Sequence, residues 1–181
     1  PVSYYGSHKL SSERMIQIFS KFSQMKSTSF RLFNVYGPGQ NMHNLKQGMV
    51  SIYLAYLMNN KPILVKGSLN RFRDFIYIDD VVDVCIRSID ESKTFGDVFN
   101  LGTGRLTKVK ELIALLLKAY GKKDLQKWVK VKGNTPGDIS GIVADNTKLK
   151  KVLGWWPSVN LEEGIIFMKE WLDDSKSFSK G

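Results

Sequence analysis

Tyr5 and Lys9 are four residues apart, so one turn of helix would bring an ammonium beside a phenol. The cation favours the ionised phenol, which makes the pair a candidate acceptor for a hydroxyl proton. A phenol titrates near about 10, so work at neutral pH calls for a shift of a few units and for a second positive charge besides Lys9. Arg71 and Arg73 carry forked donors that match a phosphate or diphosphate. Asn34 falls near the carboxyl end of an expected strand, where open α/β sheets meet their ligands. Asp138, in a turn-forming loop, could accept from ribose hydroxyls. Each residue also has a plainer role: Tyr-x-x-x-Lys recurs by chance, a strand Asn is commonly a satisfied amide, and surface arginines are ordinary.

The elements that must position these groups follow from periodicity and breakers. Leu10, Met15, Ile18, Phe19, Phe22 and Met25 make one helical stripe after Lys9, and the helix ends in Lys26-Ser27-Thr28. Phe30 to Tyr36 reads as a strand stopped by Gly37-Pro38-Gly39. A helix from Met49 to Met58, a short strand from Ile63 to Val65 and a strand from Arg71 that runs into a helix at Val81 come next. Asp79 or Asp80 is expected to cap that helix. Val98 to Leu101 makes another strand; Gly102-Thr103-Gly104 lacks the third small residue of a dinucleotide-binding turn and is read as a tight turn capped by Thr107. A helix over Val109 to Tyr120, a short strand near Trp128 to Lys132, a short helix through Leu153 and a last helix from Leu161 to Leu172 complete the order, with Asp173 to Gly181 as a frayed tail. Strands alternating with helices define an α/β class.

Composition bounds the rest. The chain has 181 residues, 43% of them hydrophobic and 24% charged, enough for one sizeable core. No apolar run approaches a bilayer span, so no membrane partner is expected. A single cysteine, Cys85, excludes an internal disulfide and suits the cytoplasm, and two histidines with one cysteine leave no metal cluster. The formal charge of +10 is concentrated between Lys118 and Lys151, which holds nine lysines against three aspartates. These lysines lack interleaved aromatics and any nucleic-acid motif, so an anionic small substrate is preferred to nucleic acid. The chain starts without Met and places its candidate pair within the first ten residues, which suggests the C-terminal part of something larger.

Five segments in order resemble the extended short-chain dehydrogenase/reductase family, in particular its nucleotide-sugar epimerases and dehydratases. They are Pro1 to Leu10, Arg31 to Gln40, Arg73 to Val81, Phe99 to Gly104, and Pro136-Gly137-Asp138 with Leu153-Gly154-Trp155. The resemblance implies the C-terminal part of a Rossmann-like doubly wound parallel sheet plus a smaller substrate-binding region. The implied division is 1–40 for the catalytic helix and following strand, 41–72 and 105–175 for substrate binding, 73–104 for a strand-helix-strand return to the sheet, and 176–181 for the tail. It implies that Tyr5 exchanges a proton with a sugar hydroxyl while hydride passes to NAD, and that Lys9 binds the nicotinamide ribose. Asn34 would contact the substrate near its phosphates, Arg73 the diphosphate and Asp138 the ribose, with Leu64 and Lys66 flanking the base. The implied substrate is a nucleotide-diphosphate sugar, with UDP the better guess; the reaction is 4-epimerisation, with 4,6-dehydration and a non-catalytic binding module as alternatives. The full-length protein would be a homodimer through a bundle that includes the first helix. Two departures stand out: the glycine-rich half of the family fold and a Ser or Thr upstream of Tyr5 are absent from these residues, and Thr135 stands where many relatives have Arg.

Overall fold

A computed structural model describes every residue except 2, 47, 134–138 and 179–181, and for 175–178 the backbone alone. The chain begins with α1 (Tyr4–Phe22), whose first turn is closed by Ser3: its hydroxyl accepts from the Gly6 amide at 3.1 Å. The expected strand follows, but in two pieces, β1 (Ser29–Leu32) and β2 (Asn34–Tyr36), because the chain changes neighbours at Phe33. β1 lies parallel to β6 (Val98–Leu101), with Leu32 opposite Leu101, and β2 lies parallel to β5 (Phe75–Tyr77), with Asn34 opposite Phe75. Phe33 donates to Leu101 and Asn34 to Asp74, so the switch costs no backbone hydrogen bond.

The period of two along β5 sorts its side chains into two cores. Phe75 and Tyr77 enter a large cluster with Val50, Leu54 and Leu57 of α2 (Met49–Met58), Leu112, Ile113 and Leu116 of α4 (Val109–Ala119), and Ile165 and Met168 of α7 (Leu161–Phe178). Ile76 faces the other way, into a smaller cluster with Phe99, Leu101, Leu149, Trp155 and the Val81 and Val84 side chains of α3 (Ile78–Ile89). Each fully buried aliphatic or aromatic side chain here contributes about 1.5–3 kcal/mol. α2 is apolar almost all round because it is enclosed, which is the pattern expected of a helix covered on more than one side.

The second part of the sheet system is smaller. β3 (Ile63–Val65) lies parallel to β8 (Val129–Val131), and β4 (Phe72–Arg73) lies antiparallel to β7 (Thr107–Lys108). A four-residue helix, α5 (Leu125–Trp128), leads into β8, and α6 (Thr147–Leu153) is terminated by Gly154, at φ +57.

Three expectations are corrected. α3 starts at Ile78 with Tyr77 as its N-cap residue, so neither aspartate caps it; buried Asp80 instead accepts from the Ser158 amide and hydroxyl at 2.8 and 2.7 Å and from the Val159 amide at 3.2 Å. Its carboxylate thus fastens the approach to α7 onto the start of α3. The Gly102-Thr103-Gly104 turn is closed not by Thr107, which lies in β7, but by Asp74. α7 runs to Phe178, well past Leu172, so 173–178 are helical rather than a tail. Separately, no residue of α1 is buried: among the described residues, Met15, Ile18, Phe19 and Phe22 are exposed.

Candidate active site

Tyr5 and Lys9 both lie on α1, and the Lys9 Nζ stands 5.5 Å from the centre of the Tyr5 ring, the proximity their spacing predicts. The Tyr5 side is open, with 71% of the residue exposed, and Lys9 is exposed as well. A phenol and an ammonium that point into solvent on one face are free to meet a ribose and a sugar hydroxyl. α1 is held at its middle by one fork: Glu13 accepts from the Arg31 Nε and NH2 of β1, both at 2.8 Å. The hydrogen bond from Arg31 keeps the Glu13 carboxyl below its usual range. A second tie, the Ser20 hydroxyl to that of Ser27 at 2.5 Å, fixes the far end of α1.

Two of the expected substrate contacts, Asn34 and Arg73, flank Asp74. This carboxylate is fully buried and accepts from the Thr103 amide at 2.9 Å and hydroxyl at 2.5 Å, the Gly104 amide at 2.8 Å and the Ala144 amide at 3.1 Å. Gly102 is required beside it, since a Cβ there would fall 2.7 Å from Ala144 Cβ and 2.8 Å from Asp74 Oδ2. The amides that a Gly-x-Gly turn could aim at a pyrophosphate are therefore already taken by a carboxylate, in keeping with the sequence-based rejection of a dinucleotide cradle.

On the two sides of Asp74 sit Arg73 and Asn34. Both the backbone amide and the side-chain Nδ2 of Asn34 donate to the Asp74 carbonyl, each at 3.0 Å. Arg73 is 9% exposed and donates from NH1 to the carbonyls of Phe72 and Ile139 at 2.7 and 3.2 Å. Burial, and after it the nearby Arg71 charge, lowers the Arg73 guanidinium from its ordinary value. Arg71 lies over Gly67, where a Cβ would come within 3.1 Å of its Cζ, and Gly67 directly follows Lys66. Gly67 thus leads from Lys66, at the end of β3, to Arg71, whose charge acts on Arg73, and Asp74 carries the arc on to Asn34; Leu64 lies within β3. Among the described residues, no contact joins Tyr5 or Lys9 to this arc, and Asp138 lies outside the described residues.

Sequence reading missed Asp74, whose partners are 29 to 70 residues away. The only local signal was its place between Arg73 and the apolar run of β5, where an unpaired carboxylate would be costly. Among the described residues no group of His, Cys, Asp and Glu could hold a metal ion, and no helix is long and apolar enough to cross a membrane.

A helix presenting a phenol and an ammonium, on an α/β scaffold whose strand ends carry an amide and a buried guanidinium, defines the class. The chain belongs to the NAD dependent epimerase/dehydratase family, whose model matches residues 1–102. It is 30% identical over 173 residues to the dTDP-L-rhamnose 4-epimerase of Burkholderia thailandensis, covering 95% of this chain and 47% of the relative. Its fold matches the UDP-glucose 4-epimerase of Thermotoga maritima, solved with UDP-glucose, at a TM-score of 0.87 and 32% identity, over 95% of this chain and 54% of that one. The UDP-glucuronic acid 4-epimerase of Bacillus cereus, solved with UDP-glucuronic acid and NAD, matches at a TM-score of 0.85 and 26% identity, over 97% of this chain and 54% of that one. The expected α/β class and family are thus found, and the chain spans about half the length of the curated relatives it matches.

Proposed function

We propose that this chain is the substrate-binding and catalytic-helix portion of an NAD-dependent nucleotide-sugar 4-epimerase. The observation that carries the proposal is the Tyr5–Lys9 pair on an open face of α1, in a chain where Asn34 is hydrogen-bonded to the backbone carbonyl of Asp74, the residue that follows buried Arg73. NAD, when bound, supplies a hydride acceptor and donor.

The residues here do the remaining work. Tyr5 takes the proton from the sugar hydroxyl being oxidised and returns it when the opposite face is reduced. The Lys9 cation favours the phenolate and binds the ribose hydroxyls beside it. Arg73, desolvated and held against the Phe72 and Ile139 carbonyls, is the guanidinium we assign to the diphosphate. Asn34, fixed by its side-chain bond to the Asp74 carbonyl, is the amide we assign to the substrate near its phosphates. Asp138, outside the described residues, is assigned to a nucleotide's ribose from the sequence alone, and Leu64 with Lys66 flanks the base.

The fit to NAD is confined to the nicotinamide-ribose end, because the Thr103 and Gly104 amides of the Gly-x-Gly turn are occupied by Asp74. The exposed apolar stripe of α1 supports further polypeptide, or a second copy in a homodimer, lying over it in the complete enzyme. The setting we propose is the cytoplasm.

Calorimetry of the chain with UDP-glucose, dTDP-glucose and NAD tests this reading. A nucleotide sugar is expected to bind, Arg73→Ala to abolish that binding and Tyr5→Phe to leave it intact; absence of nucleotide-sugar binding by the native chain would overturn it. In the complete enzyme, Tyr5→Phe is expected to lower turnover by about 10²–10⁴-fold.

A further inference from the structure

The β3–β8 pair carries three lysines on one face. Leu64 is opposite Lys130, and the Lys132 amide donates to the Val65 carbonyl at 2.8 Å, so the parallel ladder continues past its last strand pair and sets Lys66 beside Lys132. Neighbouring strands lie about 4.8 Å apart, and residues two apart share a face. Lys66, Lys130 and Lys132 therefore surround half-buried Leu64 on the outer face, while Ile63, Val65 and Val129 turn to the core. All three lysines are exposed, and among the described residues none is in an ion pair. Some other lysines of the basic half are engaged: Lys118 pairs with Glu162 and Lys148 with Asp97, while Lys122 bonds to Asn60 and lies over Trp128.

Like charges placed side by side on a sheet repel. Lysine on an edge strand also discourages edge-to-edge pairing, and β8 pairs only with β3 among the described residues. That role, however, makes no demand on Lys66, the residue that connects through Gly67 to Arg71 and the Arg73 arc.

We infer that Lys130 and Lys132, beside the base-flanking Leu64 and Lys66, complete with Lys66 a cationic shelf whose charge attracts a nucleoside diphosphate, the base lying on Leu64 and the phosphates directed to Arg73. The inference rests on the nucleotide-sugar reading above. Leu64 is the apolar seat at the shelf's centre, and the lysines supply charge without fixed geometry, as point charges on long stems do.

The test titrates the chain with UDP, dTDP and uridine in 20 and 200 mM NaCl. The Lys130→Gln/Lys132→Gln double variant is compared with Lys122→Gln/Lys123→Gln, which removes the same charge from the turn after α4; melting curves establish that both are folded. The shelf predicts about tenfold weaker binding of UDP or dTDP in the first variant at low salt, narrowing at high salt, with the second variant and uridine binding unchanged. Unchanged diphosphate affinity in the first variant, an equal loss in both variants, or an equal loss for uridine would overturn it. If the native chain binds neither diphosphate, the nucleotide-sugar reading itself fails; binding that ignores Lys130 and Lys132 defeats the shelf alone.

Discussion

Replacing Asp74 by Asn preserves shape and removes one acceptor from a site with four donors. Turned toward Gly104 and Ala144, the new NH2 would orphan two buried amides. Turned toward Thr103, it orphans one, because the Thr103 hydroxyl can rotate to accept from it. The second arrangement is the cheaper. One orphaned buried N–H costs about 1–3 kcal/mol, and the two amides still bonded lose the advantage of an ionised partner, so the total is about 3 kcal/mol. With a urea m-value of about 2 kcal/mol/M, the unfolding midpoint should fall by about 1.5 M with the slope unchanged. Thr103→Val alone removes one hydroxyl donor and should cost about 1 kcal/mol. In the Thr103→Val background the hydroxyl can no longer rescue the amide, so Asp74→Asn should cost at least about 1 kcal/mol more than it does alone. A loss below about 1 kcal/mol for Asp74→Asn, or strict additivity with Thr103→Val, would refute the assignment of Asp74 as the clamp.

Two further outcomes follow from the packing and the ion pairs. Gly164→Ala should destabilise by about 2 kcal/mol although Ala is the better helix former, because its Cβ would lie 2.2 Å from the buried Tyr36 hydroxyl. A Tyr36→Phe background should return part of that loss, and a stabilised Gly164→Ala protein in thermal melts would contradict the contact. Glu13 has a lowered folded-state value, so its contribution is present above the unfolded carboxyl value of about 4.3 and disappears as pH falls through the folded value below it. Glu13→Gln should therefore cost about 0.5–1 kcal/mol at pH 7, and the difference from the native protein should close in acid; a constant difference down to pH 3 would exclude the linkage.

What the sequence made legible was whatever is decided within a few residues. Met49–Met58 and Ile63–Val65 match their expected bounds because breakers flank both and their apolar runs are continuous. Tyr5 and Lys9 share a face because spacing alone decides it. The misses are long-range. Asp79 and Asp80 have the pattern of a cap, but Asp80 is drawn to donors 78 residues away. Phe30 to Tyr36 is one strand by composition and two by partner, since β6 and β5 are supplied by distant segments. Asn34 and Arg73 could be named separately as ligand contacts, yet the role of the Asp74 carboxylate between them in sequence could not, because its four donors come from two distant segments that no local pattern connects.

The exposed stripe of α1 has a consequence for local stability. With none of its residues buried, the helix is secured by its own ladder, the Arg31 fork and the Ser27 hydroxyl. Its amides should consequently exchange with solvent hydrogen through openings far smaller than global unfolding, in contrast to those of α4, whose Leu112, Ile113 and Leu116 are fully enclosed. Deuterium uptake in α1 then becomes a gauge: whatever polypeptide covers Met15, Phe19 and Phe22 will register as slowed exchange in the helix that carries Tyr5 and Lys9.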